Sequence, residues 1–399
     1  MKTLLIRHAT LVLPDSLVGD QSVFCRGGRI EQVGPDAALR GVSGAEDFDA
    51  HGMYLAPGFI DLHIHGAQHY LLDNGPDQLE GLCRLLPQYG VTGFLPTLCP
   101  RRKGEDAMYL SRLAATSTDG ARVLGFHLEG PFLTLTGALP AEALGAADPD
   151  RVQALIRAAG PFPVVFSIAP DFKGILDLLP LMRQGGAPVF MTHTAANVEQ
   201  SQAAIEAGAR HATHFYDVFP VPPVTEPGVR PCGAVEAILA DPRVSVDFIL
   251  DGEHVDPVAI QMALACKGPD RVCLVTDANI GAGMPPCRAR FTPDTEIEFH
   301  YEGGPARMTE NSSHPGCLAG SGLTLDRAVR NAVRLLGVGI PQAVRMATGN
   351  VAQVLGRDRE KGRIESGFDA DLVLLDADLG VLRTWVGGEE KYRKDDGRQ

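Results

Sequence analysis

The chain has 399 residues, of which 45% are hydrophobic and 21% are charged. This length and composition indicate a globular protein with one large barrel or about two or three domains. The net charge of −13 disfavours nucleic-acid binding, which needs a basic face, and offers no attraction to an anionic membrane. No apolar run approaches the ~20 residues that a membrane-spanning helix requires, so we expect neither nucleic acid nor membrane as a partner.

The cysteine pattern and the N-terminus bear on the compartment. The eight cysteines include no Cys-x-x-Cys pair, which is typical of reduced core thiols rather than of a disulfide framework or a thiolate metal site. Residues 1–8 lack the uninterrupted apolar core of a signal peptide. We therefore expect a cytoplasmic protein.

Short apolar or alternating runs, separated by turn residues, fill both ends of the chain. Gly27 and Gly28 stand between two such runs and predict a hairpin turn. Similar runs recur near the C-terminus between residues 362 and 388. We predict that residues 1–55 and 358–399 pair in one small β-sandwich domain.

Strand-like and helix-like segments alternate between these ends. Eight strand-like segments are found, at residues 54–65, 91–98, 122–129, 163–169, 187–193, 209–215, 243–250 and 271–276. Their alternation with helices predicts a (β/α)8 TIM-like barrel over residues 56–357. An open doubly wound sheet is the alternative, but no glycine-rich phosphate loop follows the first strand.

Ionisable side chains stand at the ends of six of the eight predicted strands. His63 and His65 end the first strand two residues apart, so they face the same way. The other five strand ends carry Glu129, His193, His214, Asp251 with His254, and Asp277. Each residue alone fits a structural role. Together, at the strand ends where barrel enzymes place their chemistry, they predict an active site.

Histidine and carboxylate side chains suit one or two divalent metal ions. We expect zinc, with iron, cobalt, nickel and manganese as alternatives. Glu129 can bridge two ions. A bound ion lowers the pKa of water toward ~7 and supplies hydroxide at neutral pH. Asp277 can take the proton of that water and pass it to the leaving group, and His254 can polarise the scissile carbonyl.

Several linked motifs occur in a fixed order along the chain. They are Pro57-Gly58-Phe59-Ile60-Asp61, His127-Leu128-Glu129-Gly130-Pro131-Phe132, Ala212-Thr213-His214, Glu226-Pro227-Gly228, Asp251-Gly252-Glu253-His254-Val255-Asp256, Leu274-Val275-Thr276-Asp277-Ala278 and Leu318-Ala319-Gly320-Ser321. On these motifs the chain resembles the amidohydrolase superfamily and, within it, the N-acetylglucosamine-6-phosphate deacetylase family.

The resemblance carries expectations for individual residues. It implies metal ligands at Glu129, His193 and His214, an acid/base at Asp277 that also approaches the metal, and a substrate contact at His254. Members that keep both strand-one histidines bind two ions, so His63 and His65 make a second ion an expectation. The resemblance also implies a homodimer and a loop at Leu318 that lines the acyl methyl group.

The positions that hold the sugar phosphate in the family differ here. Asp217 replaces an asparagine, and Thr225 replaces the arginine before Glu226. Residues 132–140 contain no basic side chain. Phosphate is normally held by Arg, Lys or His, and Asp217 would repel a dianion. Arg230 could substitute, although a surface arginine is the other interpretation, and the candidate substrate contacts are His254, Asp217, Val218, Leu318 and Arg230.

The sequence thus predicts a metal-dependent deacetylase acting on N-acetylglucosamine-6-phosphate or a related N-acetylated amino sugar. Three alternatives stay open. One is hydrolysis of another small, unphosphorylated N-acyl amine. A second is hydrolysis of a cyclic amide or lactone, which is disfavoured because the fourth strand does not end in the lysine that bridges the metals of many such enzymes. The third is a non-catalytic paralogue, which would have no reason to keep every ligand.

Overall fold

The computed structural model of the chain describes residues 2–39, 45–292, 295–312 and 314–395. Its strands, in chain order, are β1 (Thr3–Val12), β2 (Leu17–Arg26), β3 (Arg29–Pro35), β4 (Glu46–Asp49), β5 (Tyr54–Pro57), β6 (Phe59–Ile64), β7 (Gly66–Ala67), β8 (Tyr70–Leu71), β9 (Val91–Leu98), β10 (Arg122–Val123), β11 (Phe126–Phe132), β12 (Val164–Ile168), β13 (Val189–Met191), β14 (His211–Ala212), β15 (Ser245–Ile249), β16 (Val272–Val275), β17 (Cys287–Thr292), β18 (Thr295–Phe299), β19 (Pro305–Met308), β20 (Leu318–Ser321), β21 (Leu372–Leu375), β22 (Val381–Val386) and β23 (Glu389–Arg393).

Helices connect most of the central strands. They are α1 (Pro76–Leu85), α2 (Glu105–Ala114), α3 (Pro149–Ala158), α4 (Ile175–Met182), α5 (Val198–Ala207), α6 (Ala234–Ala240), α7 (Pro257–Lys267), α8 (Leu325–Asn331), α9 (Ile340–Met346) and α10 (Gly349–Val354). Side-chain caps fix several of their starts. Asp148, Asn197 and Asp256 accept hydrogen bonds from free backbone N–H groups at the first turns of α3, α5 and α7.

Eight parallel strands form the barrel, in the order β6, β9, β11, β12, β13, β14, β15 and β16. Buried residues on these strands fill its interior and pack against the helices. β16 returns to β6 through few contacts, among them a hydrogen bond of 2.9 Å from Asp277 N to His63 O and an isolated bridge between Ile64 and Ala278. The predicted fold class is confirmed, because a nearly closed barrel is joined to a separate sheet formed by the chain ends.

The sheet of the chain ends has the order β23, β22, β21, β5, β1, β2 and β3, with β4 paired to β1. β2 and β3 form the hairpin predicted at Gly27 and Gly28, both of which have positive φ. Trp385 is buried in the core of this sheet and lies against Phe48. The exact division of the chain at residues 55 and 358 stays a prediction.

The first predicted strand is split in two, and this corrects the single strand expected over residues 54–65. Residues 54–57 pair with β1 and β21 in the end sheet, whereas residues 59–64 belong to the barrel. Gly58 lies between the two strands, and a Cβ atom there would lie only 2.2 Å from Thr92. The chain therefore crosses from one sheet to the other at a position where only glycine fits against β9.

A further four-stranded antiparallel sheet, β17 to β20, follows the last barrel strand. Its last strand lies beside the barrel, because Ser321 N donates to Asp277 O at 2.8 Å. Within the described ranges, no helix is both long and apolar enough to cross a membrane.

Candidate active site

Glu129 lies at the centre of the carboxyl ends of the barrel strands. It is buried on β11, and its Oε2 atom lies 3.5 Å from His63 Nε2 and 3.2 Å from His65 Nε2. Its Oε1 atom lies 3.1 Å from His193 Nε2 and 3.0 Å from His214 Nε2. One carboxylate therefore separates two pairs of imidazoles, each pair facing a different oxygen.

Asp277 completes the side of the cluster that contains the first strand. Its Oδ1 atom lies 3.4 Å from the Nε2 atoms of both His63 and His65, which are themselves 3.2 Å apart. Candidate ligand atoms in two overlapping groups, His63–Glu129–His214 and His63–His65–Asp277, lie within 4.8 Å of one another. Nitrogen and carboxylate donors that converge in this way fit one or two divalent cations.

Electrostatics keep both carboxyl groups of the cluster ionised. Burial alone would raise the pKa of Glu129, but the charges and hydrogen bonds of the surrounding histidines outweigh it and hold the pKa well below its usual range. Burial likewise opposes ionisation of Asp277, whereas His63 and His65 lower its pKa. An ionised carboxylate can bind a cation or accept a proton, and Asp277 is placed to do either.

Three of the four histidines have a partner at the ring nitrogen that faces away from Glu129. The Nδ1 partners are Thr213 Oγ1 for His63 at 3.3 Å, Cys99 Sγ for His65 at 3.8 Å and Leu135 O for His193 at 3.1 Å. Thr192 Oγ1 lies 3.3 Å from both ring nitrogens of His214 and therefore faces the ring rather than Nδ1 alone. Such partners fix the tautomer and the orientation of a metal-binding ring. The arrangement leaves the Nε2 atoms facing Glu129.

Three of the clustered residues have left-handed backbone conformations. The φ angles are 47° at His193, 34° at His214 and 44° at Asp277. For residues other than glycine this conformation costs about 1–3 kcal/mol and tends to occur at functional sites. The three strand ends turn sharply so that these side chains point into the cluster.

His254 lies in the loop after β15, with one ring nitrogen paired and the other free. Its Nδ1 atom lies 2.7 Å from Asp251 Oδ2. Its Nε2 atom is buried and has no hydrogen-bond partner among the described residues. Burial lowers the pKa of His254, but the hydrogen bond and charge of Asp251 outweigh it and raise the pKa above 6.5. The ring can therefore carry a proton that Nε2 offers to a ligand.

Among the predicted substrate contacts, Asp217 lies beside the cluster and Arg230 lies at the surface. Asp217 is half-buried, and its charge helps to oppose the effect of burial on the pKa of both His214 and His254. Val218 follows it in the same loop, and Leu318 begins β20. Arg230, in contrast, is 82% exposed and pairs with Glu236 at 3.1 Å. The geometry places Asp217 beside the cluster and leaves Arg230 on a surface loop.

Sequence reasoning missed the residues that support the cluster. Two glycines permit close approaches: a Cβ atom at Gly137 would lie 2.8 Å from His193 Cε1, and one at Gly320 would lie 2.7 Å from Asp277 O. The sequence predicts Asp251, three residues before His254, only as a strand-end group. Its spacing was the one available signal for its contact with the ring.

Comparison with known proteins identifies the family. A sequence model described as the amidohydrolase family matches residues 187–393, which is more than half of the chain. The N-acetylgalactosamine-6-phosphate deacetylase of Escherichia coli is 34% identical over 341 residues, covering 84% of this chain and 87% of that protein. The N-acetylglucosamine-6-phosphate deacetylase of Vibrio furnissii is 33% identical over 368 residues, covering 90% and 89%.

A solved structure extends the likeness to three dimensions. The crystal structure of N-acetyl-D-glucosamine-6-phosphate deacetylase from Mycobacterium smegmatis superposes with a TM-score of 0.85 at 28% identity, covering 97% of this chain and 99% of that one. The resemblance seen in the sequence motifs is thereby confirmed over nearly the whole length. The chain belongs to the amidohydrolase family and is a hydrolase of carbon–nitrogen amide bonds.

Proposed function

We propose that this protein removes the acetyl group from N-acetylglucosamine-6-phosphate or N-acetylgalactosamine-6-phosphate. The observation that carries the proposal is the position of Glu129 between two histidine pairs, with Asp277 and His254 beside it. The names of the relatives support the same reaction and the same substrate class. The products would be acetate and the free amino sugar phosphate.

The proposed metal ligands are His63, His65, Glu129, His193, His214 and Asp277, holding one or two divalent ions, with zinc favoured. Such an ion, when bound, polarises the amide carbonyl and makes water a nucleophile at neutral pH. Asp277 is ionised and buried, so it accepts the proton of the attacking water through its carboxylate. The protonated Asp277 then donates to the departing amine nitrogen, which completes the hydrolysis.

His254 is assigned to the carbonyl oxygen of the substrate. Its Nε2 atom has no other partner in the described chain, and Asp251 favours the protonated ring. A donor held in advance at this point stabilises the negative charge that develops on the oxygen. Asp251 fixes the ring through Nδ1, so that the proton is presented from Nε2.

Asp217 favours a second candidate, the deacetylation of an unphosphorylated N-acetylated amino sugar. Its carboxylate lies close enough to influence His214 and His254, and it would repel a phosphate dianion at short range. Arg230, the basic residue of the neighbouring loop, is paired with Glu236 at the surface. If Arg230 holds the phosphate of a phosphorylated substrate, it must leave this pair.

The free thiols and one surface loop support two further parts of the proposal, a cytoplasmic location and a homodimer. All eight cysteines are free, as expected in a reducing compartment. Val221 and Val224 of the proline-rich loop after β14 are 83% and 66% exposed, which leaves apolar side chains on this loop that a second subunit would cover. Light scattering during size-exclusion chromatography should give twice the chain mass, and a monomer mass would contradict the dimer.

A hydrolysis assay with three substrates tests the proposal. Protein loaded with zinc is given N-acetylglucosamine-6-phosphate, N-acetylgalactosamine-6-phosphate or unphosphorylated N-acetylglucosamine, and released acetate is measured. The proposal predicts a higher kcat/KM for a 6-phosphate. A preference for the free sugar would establish the second candidate, and no release from any of the three would exclude amino sugar deacetylation.

A further inference from the structure

The outer partners of the four histidines around Glu129 are not chemically equivalent. His63 and His193 each turn Nδ1 toward an oxygen atom, at 3.3 Å and 3.1 Å. His65 turns Nδ1 toward the sulfur of Cys99, at 3.8 Å. A thiol sulfur is a weaker hydrogen-bond acceptor than a hydroxyl or carbonyl oxygen. His65 is therefore held at Nδ1 by a weaker acceptor than His63 and His193 are.

Cys99 lies next to His65, on the side of the ring that faces away from Glu129. It follows the last residue of β9 and is buried. In the described part of the chain, its sulfur is the hydrogen-bond partner of His65 Nδ1, and the ring of Phe291 approaches His65 edge-on at 5.9 Å. The side of His65 that faces away from Glu129 is thus bounded by a thiol and an apolar ring.

Cys99 is itself fixed by a connected set of contacts. Its backbone N–H donates to Asp73 Oδ2 at 3.4 Å, and Asp73 Oδ1 accepts from Arg101 at 3.0 Å. Leu72, which precedes Asp73 in the chain, donates its backbone N–H to His65 O at 2.9 Å. The same short segment therefore holds the backbone of His65 directly and its ring through Cys99.

We infer that Cys99 is a positioning residue that controls metal occupancy on the side of the cluster formed by His63, His65 and Asp277. The Nδ1–H group of His65 donates to the sulfur, which leaves Nε2 as the ligand atom. Because sulfur is a weaker acceptor than the Leu135 carbonyl oxygen that supports His193, this side holds its ion less tightly than the side formed by Glu129, His193 and His214. The inference rests on the proposed metal ligands and adds a residue that none of the sequence motifs contains.

Metal titration of the whole protein tests this inference. Wild type and the variants Cys99→Ala, Cys99→Ser and Cys83→Ala are equilibrated with zinc buffered by a chelator, and bound zinc is counted by elemental analysis. Cys83 is a matched control because it is also buried but lies in α1. We expect wild type to bind two ions. Cys99→Ala should need ~10–100-fold more free zinc than wild type to fill the weaker site. Cys99→Ser places an oxygen acceptor beside His65, so this variant should retain both ions. Cys83→Ala should also retain both ions.

Three results would overturn the inference. One is an unchanged titration of Cys99→Ala, and another is a single ion in wild type. The third is a thiolate-to-cobalt charge-transfer absorption in the cobalt-loaded protein that disappears in Cys99→Ala, since it would make Cys99 a direct ligand. Failure of the proposed function looks different, because wild type itself would then bind no ion or release no acetate.

Discussion

Glu129 Oε2 lies 3.2 Å from His65 Nε2, while the other oxygen of the same carboxylate faces His193 and His214. Glu129 therefore contacts both histidine pairs, and the neutral amide in Glu129→Gln should weaken both sets of contacts. We expect this variant to lose most of its bound metal and to have a kcat/KM at least ~100-fold lower than that of wild type. This loss is larger than the one that usually follows removal of a residue that only supports a metal ligand. Elemental analysis and acetate release measure the two effects.

Glu142→Gln is the control for that substitution. Glu142 lies in a short 3-10 helix after β11 (Ala141–Ala143) and pairs with Arg102 at 3.6 Å, so this variant should keep its metal and its activity. A fully loaded and active Glu129→Gln protein would contradict the bridging role.

Asp251 should set the pH dependence of the reaction. It raises the pKa of His254 above 6.5, and only the protonated ring can donate from Nε2 while Nδ1 is bound to Asp251. Activity should therefore fall as the pH rises through this raised pKa. Asp251→Asn removes the charge and should move the fall to lower pH, as measured by kcat/KM from pH 6 to 10. Asp256→Asn should leave the profile unchanged, and an unmoved profile in Asp251→Asn would refute the assignment.

Gly320 permits the last strand of the inserted sheet to approach Asp277. Its φ is +70°, and a Cβ atom there would lie 2.7 Å from Asp277 O. Gly320→Ala should therefore displace Asp277 and reduce kcat more than it changes KM. Gly316→Ala separates backbone strain from this contact, because Gly316 also has positive φ but nothing within 4 Å of a Cβ atom. Equal kcat values for the two variants would show that the contact with Asp277 is unimportant.

Asp217 should affect discrimination between phosphorylated and free sugars. Its negative charge disfavours a phosphate at this position, so Asp217→Asn should raise the ratio of kcat/KM for N-acetylglucosamine-6-phosphate to that for N-acetylglucosamine. The expected gain is about tenfold, corresponding to ~1.4 kcal/mol of relieved repulsion. Glu226→Gln, on the exposed part of the same loop, should not change the ratio. An unchanged ratio in Asp217→Asn would place the phosphate elsewhere.

Lys361 should be important for stability rather than activity. Its Nζ atom lies 2.6 Å from both Asp369 Oδ2 and Asp371 Oδ2, and all three side chains are buried. Lys361→Met removes one cation, while Arg122 stays near both carboxylates at 3.1 Å and 3.8 Å. The variant should therefore lower the free energy of unfolding by about 2 kcal/mol, the loss of hydrogen bonds to charged groups. Urea denaturation measures this change. Exposed Lys173→Met should have little effect, and a similar loss in both variants would contradict the role of the buried pairs.

The barrel and the clustered residues were predictable because the relevant signals are local. Alternating strands and helices identify the fold, and a period of two places His63 and His65 on one face. Since parallel strands end at the same edge, Glu129, His193, His214 and Asp277 could be expected to meet there. The structure brings these side chains together.

The contacts that support the cluster were not predictable, because they depend on side chains from different strands. Thr192 directly precedes His193 in the chain but faces His214, and Thr213 precedes His214 but faces His63. The left-handed turns at the strand ends have no glycine to signal them. The break at Gly58 depends on the approach of Thr92 from the neighbouring strand, which no local pattern reveals.

Reversible metal removal tests the central claim most directly. The protein is stripped with a chelator and dialysed, and acetate release from N-acetylglucosamine-6-phosphate and from N-acetylgalactosamine-6-phosphate is measured before and after zinc is returned. The account predicts that activity disappears with the metal and returns with one or two equivalents of zinc, and that Glu129→Gln does not recover. Undiminished acetate release by fully stripped protein, or none by fully loaded protein, would contradict it.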